Sequence, residues 1–309
     1  MKNVFVTGGS GFIGAAVVKE LARHNLNIVV LTRDMQAIPS TRKSFFENCG
    51  HVKFVEGDLS NIDRLAETLD GLRIDTCYHF AWEGIQGKSL MDFSQQMNNV
   101  AYTMSLIKCI SKIGCKRFIG AGTIGQSEIE YSNRAIPDRE IYYRHAKELC
   151  EKLGRETAES GNMEFLWPLI TNAYGPDEIS PRFICTLVSA LLRDEDMKVS
   201  EGRQVYDFVY IDDLARAFFL IGEMGVAGRK YVIGSGQARK LRDWIASTPD
   251  ILGSRGRLEF GGFPYHGVYM DKKEFLIDAL RQDTGYSPRI PFEEGIKNTA
   301  AWLRRRINL

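Results

Sequence analysis

The chain has 309 residues, of which 44% are hydrophobic and 26% charged, with a formal net charge of +1. This length fits one large α/β domain or a domain with a smaller lobe. The near-neutral charge, with no basic tract or aromatic–basic interleaving, argues against a nucleic-acid or acidic-membrane partner. Six scattered cysteines form no CxxC pair, so no metal site is expected. No apolar run is long enough to span a bilayer, and the N-terminus enters a strand pattern without an apolar leader. The expectation is a cytoplasmic protein with reduced thiols.

In chain order, "NVFVTG" reads as a buried strand and Phe12 to His24 as a helix. "NIVVLTR" and "VKFVEGD" are strands, "RLAETLDGL" a helix and "DTCYHFA" a fourth strand. A long helix from Leu90 to Ile113 precedes the strand "CKRFIGAG". Tyr142 to Ser160 is helical, and "EFLWPLI" is a single strand. This alternation predicts βαβ units with right-handed crossovers, hence an α/β Rossmann-type, doubly wound parallel sheet. Beyond Gly175-Pro176 the elements shorten. They comprise a helix from Arg182 to Leu192, a strand at Lys198, the segment "VYDFVYIDDLARAFFLI" and a final amphipathic helix ending "AAWLRRR". The expected organisation is a dinucleotide-binding domain over 1–175 and a smaller substrate lobe over 176–309, interleaved with the first.

"VTGGSGFIG" falls between the first strand and the first helix. Gly8 permits a tight turn, Gly11 lets a phosphate approach the backbone, and Gly14 lets the helix pack close to the strand. The helix start at Phe12 and Ile13 offers free N–H groups and a positive dipole end to a pyrophosphate. Strand before and helix after make this a dinucleotide-binding turn. The second strand ends in "LTRD". Arg33 suits the 2′-phosphate of NADP(H), which is favoured, whereas Asp34 suits the ribose hydroxyls of NAD(H).

In "EIYYRHAK" Tyr143, but not Tyr142, has a lysine four residues on, so Tyr143 and Lys147 share a helix face. A carbonyl that gains a hydride also gains a proton, and a phenol with pKa about 10 is poorly matched to neutral pH. A neighbouring ammonium favours the phenolate.

These motifs resemble the extended short-chain dehydrogenase/reductases that act on nucleotide sugars: epimerases, dehydratases and 4-keto-reductases. "TGGSGFIG" resembles the family's TGxxGxxG. Asp58-Leu59 in "EGDLS" resembles its adenine-side Asp-Leu, and "YHFAW" its "HLAA", with Ala81 against the cofactor. "NNV" provides Asn99, "GAGT" provides Thr123, and Tyr143 with Lys147 matches YxxxK. "NAYGP", "YDFVYIDDLARA", "YVIGSG" and "TGYSPRIPFEEGIKNTAAW" extend the likeness over nearly the whole chain. The resemblance implies Tyr143 as acid/base, Lys147 on the nicotinamide ribose, Thr123 orienting the substrate oxygen and Asn172 facing the substrate, unless Asn172 is a buried turn cap.

Departures narrow the reading. After Thr123 stands "IGQ", without the Asp-Glu of many 4,6-dehydratases. Leu169 lies near a usual arginine, and Tyr206 replaces the arginine of "RDF", which leaves Arg182 and Arg203 as candidate diphosphate contacts. The expectation is an NADPH-dependent reductase of a nucleotide-linked 4-keto-6-deoxy sugar. The alternatives are an epimerase retaining NAD and, more distantly, a non-catalytic NAD(P)-sensing regulator. The resemblance also implies a homodimer through a four-helix bundle. Met97, Val100, Met104 and Ile107 form one apolar stripe, and Tyr102 and Cys109 would begin a second one; the alternative is that all of them serve one monomer core.

Overall fold

The computed structural model describes residues 1–131 and 140–307. Six parallel strands form the central sheet: β1 (Asn3–Thr7), β2 (Asn27–Thr32), β3 (Val52–Glu56), β4 (Thr76–His79), β5 (Arg117–Gly120) and, later in the chain, Glu164–Leu166. Their order places β3 and β2 to one side of β1 and β4, β5 and the 164–166 strand to the other. The chain reverses direction across the sheet between β1 and β4, and this switch opens a crevice at the strands' C-terminal ends. The strand interiors are almost wholly apolar, as Val4, Phe5, Val6, Ile28, Val30, Cys77, Tyr78, Phe118 and Ile119 show. Such strands are stable only with both faces covered.

Helix α1 (Phe12–Ala22) follows β1, α2 (Ser40–Glu47) follows β2, and α3 (Ile62–Leu69) follows β3. Asn61 caps α3 by accepting from the Arg64 N–H at 3.3 Å. The long α4 (Phe93–Lys112) begins at Asp92, whose carboxylate accepts from the Gln95 N–H at 3.0 Å. It packs along α6 (Ile141–Ser160), with α5 (Gly125–Tyr131) between them in the chain. Helix α2 carries no clear apolar period and escapes sequence reading.

"EFLWPLI" is not one strand. β6 (Gly122–Thr123) comes first in the chain; β7 is the Glu164–Leu166 strand of the main sheet, while β8 (Leu169–Ile170) pairs with β6 in a second sheet. Pro168 lacks the N–H that a continuing ladder needs and marks the break. The chain then crosses repeatedly between the halves. β9 (Asn172–Tyr174) pairs with β12 (Phe208–Tyr210), while β10 (Met197–Val199) and β11 (Val205–Tyr206) lie in the C-terminal lobe. Helix α7 (Phe183–Leu192) and the carboxyl-terminal helix Phe292–Ile307 pack together in that lobe. Helix α8 (Ile211–Met224) instead returns to lie against α1, and β13 (Val232–Ile233) pairs with β8. "VYDFVYIDDLARAFFLI" is therefore two short strands running into a helix.

Candidate active site

A cavity of about 650 Å³ occupies the crevice, running from the β2 and β3 ends, over the glycine turn, to α6. Gly8 has φ +70°, and a Cβ there would fall 2.4 Å from the Ala81 backbone nitrogen. A Cβ on Gly14 would fall 2.2 Å from the Gly8 carbonyl oxygen. Any side chain at either place would fill or distort the cradle. The Gly11 N–H donates to the Gly8 carbonyl at 3.0 Å, closing the turn just before α1. Gly8, Gly11, Phe12, Ile13 and Gly14 all line the cavity. This bare backbone at a helix N-terminus fits a dinucleotide pyrophosphate.

Arg33, Asp34, Asp58 and Leu59 line the adenosine end. Asp58 accepts from the Ser60 N–H at 2.8 Å, and that backbone bond holds its carboxyl below the usual range. Arg33 ion-pairs with Glu83, which follows β4. Because β2 and β4 flank β1, this pair bridges the two sides of the glycine turn. A cation absent from the sequence reading also reaches the cavity wall. Arg42 on α2, 3% exposed, donates to the carbonyls of Ser10 and Asp177 and so ties the turn to the C-terminal lobe. Its relevance was hidden because α2 itself was not legible.

At the other end, α6 brings Tyr143 and Lys147 to the wall beside Thr123. Burial raises the Tyr143 phenol to about 12, opposed by the charge of Arg182 and by a hydrogen bond with Thr123. Burial lowers the Lys147 ammonium to about 7. Its Nζ donates to the Ala121 carbonyl at 2.8 Å and sits 3.6 Å from the centre of the Trp82 ring, whereas the Tyr143 ring centre is 5.9 Å away. In this form the lysine is therefore turned towards Trp82 and Ala121, and Arg182 is the cation that most lowers the phenol.

Asn99 lines the cavity but spends its amide on the backbone. It accepts from the Glu83 N–H and donates to the Glu83 carbonyl, both at 2.9 Å, and so fixes the Ala81–Glu83 loop. Beneath it, burial lowers His79 to about 3, and the neutral ring bridges the hydroxyls of Thr7 and Thr103 at 2.7 and 3.0 Å. Arg182 lies in the cavity wall, with Nε 3.3 Å from Glu178. Asn172 does not line the cavity. It is half-buried at the start of strand β9, and its amide donates at 3.3 Å to the carbonyl of Asp207, the residue just before β12, so it caps no turn. Arg203 is also elsewhere, in a separate basic pocket with Lys240 and Arg242, where it pairs with Glu201 at 2.7 Å. Among the described residues no cluster could hold a metal ion, and no helix is long and apolar enough to cross a membrane.

The second apolar stripe on α4 lies differently from the expectation. Cys109 is buried and Tyr102 lines the cavity. The outward apolar groups are Phe93 on α4 and Tyr142, Leu149 and Leu153 on α6. Helix α4 spends Cys109 against its own fold, so α6 supplies most of the exposed apolar face.

Comparison with known proteins gives the family and the fold. Residues 4–234 match the model of the "NAD dependent epimerase/dehydratase family". The trifunctional UDP-glucose 4,6-dehydratase/UDP-4-keto-6-deoxy-D-glucose 3,5-epimerase/UDP-4-keto-L-rhamnose-reductase of Arabidopsis thaliana is 25% identical over 97% of this chain. The chain spans 47% of that relative, about half its length. The UDP-glucose 4-epimerase of Thermotoga maritima, solved with UDP-glucose, superposes with a TM-score of 0.83 at 22% identity, covering 99% of both chains. MoeE5, solved with UDP-glucuronic acid and NAD, gives 0.78 at 25% identity over 98% of this chain and 99% of its own. This chain belongs to the NAD dependent epimerase/dehydratase family.

Proposed function

We propose that the protein is a nucleotide-sugar oxidoreductase that reduces a 4-keto-6-deoxy sugar nucleotide with NADPH. The observation that carries this reading is one continuous cavity. It joins the glycine cradle at one end to Thr123, Tyr143 and Lys147 at the other. When bound, the reduced nicotinamide supplies the hydride. Tyr143 gives its proton to the substrate oxygen as that oxygen gains negative charge, and the Thr123 hydroxyl orients the same oxygen. Lys147 and Arg182 stabilise the resulting phenolate. Arg33 supplies positive charge at the adenosine end, which favours a 2′-phosphate.

Water elimination fits less well. Gly125 stands two residues after Thr123, where a 4,6-dehydratase carries its acid. Gln126 is committed to the Thr123 N–H, the Trp167 indole and Glu151. The next acid, Glu128, is ion-paired to Arg144. Epimerisation with retained NAD is the second reading, supported by NAD in the solved relative MoeE5. The exposed Phe93, Tyr142, Leu149 and Leu153 support a homodimer through α4 and α6 of each subunit.

Two measurements test the proposal. Cofactor released on denaturing the purified protein is identified, and UDP-, GDP-, CDP- and dTDP-linked 4-keto sugars are screened for NADPH consumption. Consumption with one of them from an initially cofactor-free protein is the expected result. Tightly held NAD, with interconversion of sugar epimers and no net NADPH use, would overturn it in favour of the epimerase.

A further inference from the structure

The resemblance to "HLAA" puts a small residue where this chain has Trp82. That indole touches both groups of the Tyr-Lys pair. Its ring centre is 3.6 Å from the Lys147 Nζ, and its plane meets the Tyr143 ring edge-on at 6.0 Å and 89°. Its own N–H donates to the Gln96 Oε1 at 2.9 Å, and Gln96, 0% exposed, is anchored in turn by donating to the carbonyls of Gly84 and Ser89. The ring is therefore fixed from behind.

Lys147 is 6% exposed, and among the described residues no carboxylate pairs with it. The titratable groups around it are Tyr143 and Cys150 on its own helix and His79 on β4, and Tyr143 in turn feels the charges of Arg182, Glu140 and Arg144. Burial raises the Cys150 thiol to about 11 and keeps His79 neutral, so neither supplies a negative charge at neutral pH. The Ala121 carbonyl, the face of Trp82 and, farther off, the rings of Trp167 at 5.6 Å and Tyr143 at 5.9 Å remain to hold an ammonium.

We propose that Trp82 is a positioning residue for the catalytic pair, and that its ring face favours the ammonium form of Lys147 in a site that holds no counter-carboxylate among the described residues. An aromatic quadrupole attracts a cation more strongly as the pair is withdrawn from water, and here Lys147 is buried and Trp82 half-buried. The inference rests on Tyr143 and Lys147 acting as a pair, so its test reads Lys147 directly.

The experiment places fluorinated tryptophans site-specifically at position 82, with increasing fluorine content. These weaken the ring's negative face while keeping its size, so folding and water access change little. The pH midpoint of Lys147 acetylation by trace acetic anhydride, followed by peptide mass spectrometry, is measured without cofactor or substrate. The midpoint should fall stepwise by about one pH unit across the series. The same series at Trp302, which lies on the C-terminal helix, should leave it unmoved. A flat series at position 82, or an equal shift from position 302, overturns the proposal. Turnover of Tyr143→Phe is measured in parallel. Near-parental turnover would reject the proton-transfer reading, whereas a flat labelling series with an inactive Tyr143→Phe rejects only the role of Trp82.

Discussion

Replacing Lys147 with methionine should stabilise the fold at neutral pH while abolishing turnover. The ammonium is buried, and burial lowers its pKa from 10.5 to about 7. In the unfolded chain the amine stays protonated up to about pH 10.4. Between these values the unfolded state binds more protons than the folded one, so this group makes stability rise with pH. Its cost to the fold is largest below pH 7 and vanishes near pH 10.5. At about 1.4 kcal/mol per unit, the cost at pH 7 is ~4 kcal/mol. Methionine also gives up the 2.8 Å bond to Ala121, which the neutral amine can still donate, and leaves that carbonyl unpaired, worth together about 1–2 kcal/mol. The net gain at pH 7 should be ~2–3 kcal/mol. Urea unfolding of both proteins from pH 6.5 to 9.5 checks this, because other titrating groups cancel in the difference. The stability gap should close as pH rises and reverse near pH 9.5, where the lost contacts dominate. A variant no more stable than the parent at pH 6.5, or a gap independent of pH, would refute the argument.

Tyr143→Phe keeps the ring against Trp82 and removes only the hydroxyl, so cofactor affinity should persist while turnover falls about 100-fold or more; turnover within a few-fold of the parent would exclude Tyr143 from proton transfer. Arg33→Ala should weaken NADPH binding more than NADH binding, measured by nucleotide fluorescence titration, and equal effects would reject the 2′-phosphate assignment. Gly14→Ala sets a Cβ 2.2 Å from the Gly8 carbonyl, so it should destroy dinucleotide binding and cost about 1–3 kcal/mol in chemical unfolding. Light scattering should give twice the 34.9 kDa chain mass, and Leu149→Glu with Leu153→Glu should return it to one chain; a parent that is already monomeric contradicts the proposed interface.

Much of the cofactor half was legible in the linear sequence. Apolar runs broken by glycine and helical periods dictate strands and helices locally, and the turn from Gly8 to Gly14 needs its glycines for reasons set by backbone sterics alone. Tyr143 and Lys147 share a helix face by spacing, whatever the helix packs against. Other features depend on which strands become neighbours. Arg33 and Glu83 are 50 residues apart and meet because β2 and β4 both flank β1. Arg42 reaches the cavity through a helix with no apolar stripe to announce it, and Arg203 lies away from the cavity because the lobe turns it towards Lys240 and Arg242. Asn172 is spent on the carbonyl of Asp207, 35 residues on, a contact that no local pattern encodes. Trp82 reads in sequence as one more apolar residue at a strand end. Only the packing of α4 and α6 against that strand lays its ring on the Lys147 amine, because the charge state of a buried group is set by everything that surrounds it.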